Sequence, residues 1–399
     1  MVLAPSNQFE NELLLGCART ALDSDMTGRV RGLLQRNINW EYLKKTAHAH
    51  GVLPLLYRSL SAVCPEAVPR PILDDLQRRF HLNDFQNRFM SKELIKVLDV
   101  LERHEIPAIP YKGPTLAVMA YGSLALRRFG DLDILIPERE LFRTRELLTS
   151  QGYELNRGSA ETSYIENNYD YLFTNHDGRV HLEIHWAFTR KHWPFPIDLN
   201  RLWRRVEPVQ LDGKTVSSFH PEDLLLILCV HGAKHYWERL GWICDIAELA
   251  RVNKKIDWKR VTEQAVELRS NRPLLLGLDL ARKLLGAGLP EEVLQKINAD
   301  PAIKSISAHV RDCLFPRDKG PIMTLKKDFS HIRLRESWRD RVIMFLYIIR
   351  GYLRQRIKPN TKDEAALRLP GSLYWAYYLI RPIRLIKECV MNPVRSVRK

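Results

Sequence analysis

The chain has 399 residues, 45% hydrophobic and 27% charged, a composition that excludes a collagen, an extended coiled coil and a wholly disordered polypeptide. Lysine and arginine number 62 against 47 acidic residues, a net charge of +15, and the stretch Pro321–Lys399 holds 18 of the basic and 6 of the acidic side chains. A basic tail of this kind points to an anionic partner: nucleic acid, acidic lipid or a polyanionic substrate.

The first hundred residues read as helices. Leu13, Leu14 and Cys17, and later Leu94, Ile95, Leu98 and Leu101 in a stretch from Phe85 to His104, recur at the three- and four-residue spacing of a buried helical face. His48 and His50 are expected at a helix end or on the surface. After His104 the texture changes. Ile106–Tyr111 is short, apolar and flanked by proline, which predicts a strand running into Lys112-Gly113-Pro114-Thr115 and then a helix over Leu116–Tyr121.

Asp131–Ile136 alternates like a strand, and a helix is expected from Glu138 to Gln151. Tyr169–Thr174 and Val180–Trp186 predict two further strands joined through Asp177-Gly178, a good hairpin turn. From His220-Pro221-Glu222-Asp223 the chain reads as helical, with Leu224–Val230 buried and a second helix over Trp242–Val252. In the tail, Trp338–Arg356 and Tyr374–Val390 read as helices separated by a loop at Lys358–Thr361. The second combines Tyr374, Trp375, Tyr377 and Tyr378 with Arg381, Arg384 and Lys387, which suits an anionic membrane surface or single-stranded nucleic acid.

Six cysteines lie far apart without a C-x-x-C pair, against a zinc ribbon or a dense disulfide framework. Met1–Arg19 lacks the pattern of a secretory signal, and the longest apolar run, Val342–Ile349, falls far short of the ~20 residues of a spanning helix. The expectation is a cytoplasmic chain with reduced thiols, peripheral at a membrane surface if its tail engages lipid.

The chemistry concentrates in the middle of the chain. In a strand, Asp131 and Asp133 project to one face while Leu132 and Ile134 enter the core. Two carboxylates so close repel unless a cation sits between them, and hard cations such as Mg²⁺ take carboxylate oxygens together with substrate phosphates. In the later strand, Val180, Leu182, Ile184 and Trp186 form one face and His181, Glu183 and His185 the other. If the two strands are neighbours, three carboxylates converge, and the third completes a two-metal site or accepts a proton. Gly113 between strand and helix lets the backbone approach a phosphate, Lys112 adds a charge and Thr115 a hydroxyl. His231 and His235 share one helical face. With Gly232 where a zinc protease has glutamate, the expectation is that Lys234, His231 or His235 faces a phosphate or an acceptor, or that the helix simply packs.

Lys112-Gly113-Pro114-Thr115-Leu116, Arg127-x-x-x-Asp131-Leu132-Asp133 and Leu182-Glu183-Ile184-His185-Trp186 resemble the DNA-polymerase-beta-like nucleotidyltransferase superfamily. The resemblance is closest to a family of bacterial nucleotidyltransferases and more distant to the AbiEii-type toxins and the lincosamide nucleotidyltransferases. It includes His231-Gly232-x-x-His235-x-Trp237, Trp242 and Asp245. It implies an α+β fold, with a small mixed sheet and flanking helices between helical N- and C-terminal regions. The corresponding domains are a helical region over 1–100, the nucleotidyltransferase core over 101–210, a helical domain closing the cleft over 211–310 and the basic helical region over 311–399.

It further implies transfer of a nucleoside monophosphate from a nucleoside triphosphate to a hydroxyl, with release of pyrophosphate. Two Mg²⁺ ions, or Mn²⁺ in their place, would bind Asp131, Asp133 and Glu183, while Lys112, Gly113, Thr115, Arg127 and Lys234 would bind the nucleotide. One departure stands out: the superfamily has Gly-Ser or Gly-Gly where this chain has Gly113-Pro114, which removes one backbone donor. The acceptor is expected to be a small molecule. RNA or tRNA modification and a non-catalytic nucleotide-binding scaffold are the alternatives.

Overall fold

The computed structural model describes residues 7–156, 168–190, 193, 195–315, 329–357, 371–378 and 381. Two compact units divide at Phe315, and each is described by itself.

The first unit opens with helices Gln8–Cys17, Ser24–Leu34, Trp40–Ala49 and Leu53–Val63, followed by a 34-residue helix, Arg70–Arg103. That long helix begins well before the Phe85 start that its apolar spacing indicates. Pro71 opens its first turn, and Leu76 is the one buried apolar side chain before Met90, so its first half shows no apolar stripe to read.

A five-stranded mixed sheet follows, built from β1 (Ile109–Pro110), β2 (Asp131–Leu135), β3 (Tyr153–Leu155), β4 (Asp170–Asn175) and β5 (His181–His185). Its spatial order is β1-β2-β5-β4-β3, with β2 and β5 parallel and the other pairs antiparallel. β1 is shorter than Ile106–Tyr111 suggests, and Pro107 before it carries no N–H for a ladder. The expected helix after β2 starts as a single 3₁₀ turn, Glu138–Glu140, and continues as Leu141–Ser150. The hairpin between β4 and β5 turns at Gly178, whose φ is +71°.

Leu132, Ile134, Leu182, Ile184 and Phe173 fill the core side of the sheet. They pack against Leu94, Val97 and Leu101 of the long helix and Ala117 of helix Gly113–Tyr121. A second hairpin, β6 (Val206–Leu211) and β7 (Lys214–Phe219), lies beside β1 and was not anticipated. Its turn, Asp212-Gly213, has positive φ at both residues and is the same dipeptide that marks the β4–β5 turn.

Helix Pro221–Lys234 is capped by the His220 ring, which accepts from the Glu222 N–H, and Leu224–Val230 are buried throughout. Helices Leu240–Val252, Trp258–Glu267, Asn271–Leu285, Glu291–Ala299 and Pro301–Leu314 complete the unit. The fold class is α+β. Among the described residues five cysteines are free and no helix is long and apolar enough to cross a membrane. In the second unit the expected tail helix is Trp338–Ile357. Most of Tyr374–Val390 lies outside the described residues, and Gly371–Ala376 is a 3₁₀ segment.

Candidate active site

Alternation along β2 sends Leu132 and Ile134 into the core and turns Asp131 and Asp133 to the opposite face, where Asp131 is half-buried and Asp133 is 2% exposed. β5 lies parallel to β2 in a register that sets Glu183 directly opposite Asp133. The polar faces of the two strands therefore coincide. Two residues further along β5, His185 is 3% exposed. The Tyr169 ring stacks on its imidazole at 5.9 Å and the Tyr111 ring meets it edge-on at 5.5 Å.

The His185 Nε2–H is shared between two carboxylates, with Asp133 Oδ1 at 3.1 Å and Glu183 Oε2 at 3.2 Å. Lys112 Nζ donates to the same Asp133 oxygen. The other oxygen, Asp133 Oδ2, is buried and accepts no hydrogen bond. Burial works against every charge here, yet the pairing decides the outcome for most of them. Asp133 is held well below the usual carboxylate range by Lys112 and His185, and Lys112 and His185 are themselves pushed up by the carboxylates. Asp131 moves the other way: burial and the neighbouring Asp133 charge raise it.

Ligating atoms of Asp133, Glu183 and His185 lie within 4.8 Å of one another. Two carboxylates, one of them with an orphaned buried oxygen, and an imidazole make a donor set that fits a divalent cation such as Mg²⁺ or Mn²⁺. Asp131 shares the face but stands outside this cluster of three. His185 was not singled out from sequence as a ligand. Its signal was its place two residues after Glu183 on the polar face of the strand.

The turn into helix Gly113–Tyr121 places Lys112. Gly113 has φ +50°, and a Cβ there would come within 3.2 Å of the Asp131 carbonyl oxygen, so this glycine is what lets the helix start press against β2. Thr115 is buried and donates its hydroxyl to the Lys112 carbonyl at 2.8 Å, closing the turn. Arg127 forks Asp245, Nε to Oδ1 at 2.8 Å and Nη2 to Oδ2 at 2.9 Å, and the Tyr121 hydroxyl donates to the same carboxylate at 2.7 Å. Lys112 and Thr115 thus stand at the carboxylates and in the turn, while the Arg127 charge is committed to Asp245.

Lys234 is the last residue of its helix. Its Nζ donates to Tyr169 Oη at 2.8 Å and to the Phe188 carbonyl at 3.3 Å. Burial, reinforced by the Lys112 charge, lowers its pKa to about 8. His231 and His235 pack their rings 4.7 Å apart and both lean on Trp242. Burial lowers His235 to about 4 and holds His231 well below the ordinary histidine value, and among the described residues they belong to no ligand cluster. Trp237 is buried in a slot between Gly232 and Gly277.

Beside Gly130, the residue preceding Asp131, a cavity of about 450 Å³ opens between the Trp40–Ala49 and Arg70–Arg103 helices and the start of Leu240–Val252.

An α+β core whose sheet converges carboxylates beside a strand-to-helix glycine turn has the build of a nucleotidyl-transferring enzyme. Residues 36–286 match the model of a family described as "Uncharacterised nucleotidyltransferase"; this is well over half of the chain, which belongs to that family. No curated protein matches the sequence. Among solved structures, the chain is similar to the antibiotic-resistance factor ANT(2'')-Ia, with 15% identity over 55% of this chain and 94% of that one and a TM-score of 0.28. It is also similar to an antigenic nucleotidyltransferase-like protein from Paracoccidioides brasiliensis, with 18% identity over 53% and 96% and a TM-score of 0.30. At these scores neither likeness bears on the substrate.

Proposed function

We propose that the enzyme moves a nucleoside monophosphate from a nucleoside triphosphate to a hydroxyl of a small acceptor, with Mg²⁺ held by Asp131, Asp133 and Glu183. The observation that carries this reading is the register of Asp133 against Glu183 on parallel strands, with Asp131 on the same face and Asp133 Oδ2 buried without a partner. A bound divalent ion would neutralise the developing phosphate charge and the leaving pyrophosphate. The acceptor oxygen bonds to the α-phosphorus as the bond from that phosphorus to the bridging oxygen breaks, and pyrophosphate departs with that oxygen. Glu183, half-buried and opposite Asp133, either completes the metal site or takes the hydroxyl proton. Lys112, on Asp133, and Lys234, on the Tyr169 hydroxyl, offset triphosphate charge. Arg127, through Asp245, holds the loop that delivers Asp131. The cavity beside Gly130 has the volume of a small-molecule site, which favours a small acceptor over RNA.

The test is titration of the protein with Mg²⁺ and non-hydrolysable ATP, GTP, CTP and UTP analogues, on the unchanged chain and on Asp131→Asn/Asp133→Asn. Metal-dependent binding lost in the double variant supports the reading and names the base. Absence of binding to all four analogues by the folded protein overturns the reading.

A second reading concerns place rather than chemistry. Helix Trp338–Ile357 exposes Trp338, Val342, Phe345, Leu346 and Ile349 within the strongly basic stretch Pro321–Lys399, a combination suited to an anionic membrane surface. Co-sedimentation with phosphatidylserine vesicles that is unchanged by Phe345→Glu/Ile349→Glu would overturn it.

A further inference from the structure

The cavity beside Gly130 carries a charge imbalance that the carboxylate site does not explain. Its wall includes Arg128 and Arg239, together with His48, Asn83 and the Trp242 ring. Among the described residues neither arginine pairs with a carboxylate. Arg128 donates Nη1–H to the His48 carbonyl at 2.9 Å, and the Arg239 guanidinium lies 5.6 Å from the centre of the Trp242 ring. The contrast with Arg127 one residue earlier is direct, since that side chain is neutralised by Asp245.

The two arginines oppose each other. Partial burial and the Arg239 charge lower Arg128, and partial burial and the Arg128 charge lower His48. Lys234, by contrast, sits among the charges of Asp170, Glu183 and Asp133. Lys112 bonds a site carboxylate directly, whereas the two arginines line the cavity. Guanidinium groups match phosphate oxygens in a two-point geometry that lysine does not offer.

We infer that this cavity is the acceptor subsite and that it takes an acceptor bearing a phosphate group, held between Arg128 and Arg239. This rests on the nucleotidyl-transfer reading of the neighbouring site. Arg128 lies three residues before Asp131, so a phosphate clamped there brings the rest of the acceptor to the edge of β2. Because the donor's triphosphate is also a source of phosphate, the two must be separated by experiment.

Binding of inorganic phosphate and of ribose 5-phosphate to the full chain, without metal, is measured by calorimetry. The unchanged protein is compared with Arg128→Gln/Arg239→Gln, Lys234→Ala and Asp131→Asn/Asp133→Asn. The arginine variant is expected to bind both probes about tenfold or more weakly, the effect of losing one or two charge-assisted hydrogen bonds. The lysine and aspartate variants are expected to bind them no more weakly than the unchanged chain. The arginine variant should still bind a non-hydrolysable ATP analogue with Mg²⁺. Both side chains are exposed, so the unfolding midpoint should not move, and Arg239→Glu alone should show the same loss.

Phosphate affinity unchanged in the arginine variants, or lost only in Lys234→Ala, would overturn the inference. Equal loss of phosphate and ATP analogue would assign the cavity to the donor and overturn it while leaving nucleotidyl transfer standing. ATP-analogue binding indifferent to Asp131 and Asp133 would instead remove the nucleotidyl-transfer reading, whatever the arginines do.

Discussion

Arg127 and Asp245 meet through two parallel hydrogen bonds, and that fork fastens the loop before β2 to helix Leu240–Val252. Both side chains are nearly buried, at 10% and 3% exposure. Removing one partner leaves the other charge buried and unpaired, which typically costs about 3–5 kcal/mol. Asp245→Ala is therefore expected to lower the urea midpoint strongly, and Arg127→Met/Asp245→Leu should recover much of the loss. Equal destabilisation by the single and double variants would show that packing rather than charge holds the loop.

Asp131→Asn and Asp133→Asn should each reduce pyrophosphate release by about 10²–10³-fold or more, the scale of losing electrostatic stabilisation at a reacting phosphate. The two should differ in stability. Asp133→Asn leaves the buried Lys112 ammonium short of its partner, so it should also lower the melting temperature, while Asp131→Asn should not. Full release in either variant, measured by a coupled pyrophosphate assay, would remove that residue from the site.

Lys234 gives the site a pH limit. With its pKa lowered to about 8 by burial and Lys112, the amine is charged below that value and neutral above it. Nucleotide affinity should fall as pH rises through about 8, by at most about tenfold per unit for one proton. The sign for folding is opposite. The unfolded chain keeps the proton up to the ordinary lysine value of 10.5, so this residue makes the protein more stable as pH rises between the two values. Lys234→Arg, charged throughout, should flatten the affinity profile. An unchanged profile in that variant would assign the transition to another group.

The slot for Trp237 depends on two missing side chains. A Cβ on Gly232 would lie 2.4 Å from the indole ring, and one on Gly277 would come within 2.7 Å of Cys229 Sγ. Gly232→Ala is expected to destabilise by about 1–3 kcal/mol or more through overpacking. Because Lys234 follows on the same helix, the variant should also weaken nucleotide binding. Wild-type stability by thermal unfolding would mean that the indole can move aside.

The faces of β2 and β5 were readable from alternation alone, since Leu132, Ile134, Leu182 and Ile184 leave Asp131, Asp133 and Glu183 little choice of side. The facing of Asp133 and Glu183 was only conditional, because parallel strands pair through a long crossover and no local turn sets their register. His185 was seen on the polar face, but its burial comes from Tyr111 and Tyr169, which belong to other segments. The Arg127 charge was visible, while its partner lies 118 residues away. β6 and β7 were legible in principle through Asp212-Gly213, yet Pro208 inside the first strand argues locally against it.

The order in which these charges are synthesised follows from where they sit. Lys112 precedes Asp133, whereas Lys234 comes about a hundred residues later, which at ~5–20 residues per second is on the order of 5–20 s of translation. The ammonium that quiets Asp133 is thus already on the ribosome when the carboxylate appears. The nascent sheet need not wait for the second lysine, whose arrival completes a basin of charge rather than rescuing one.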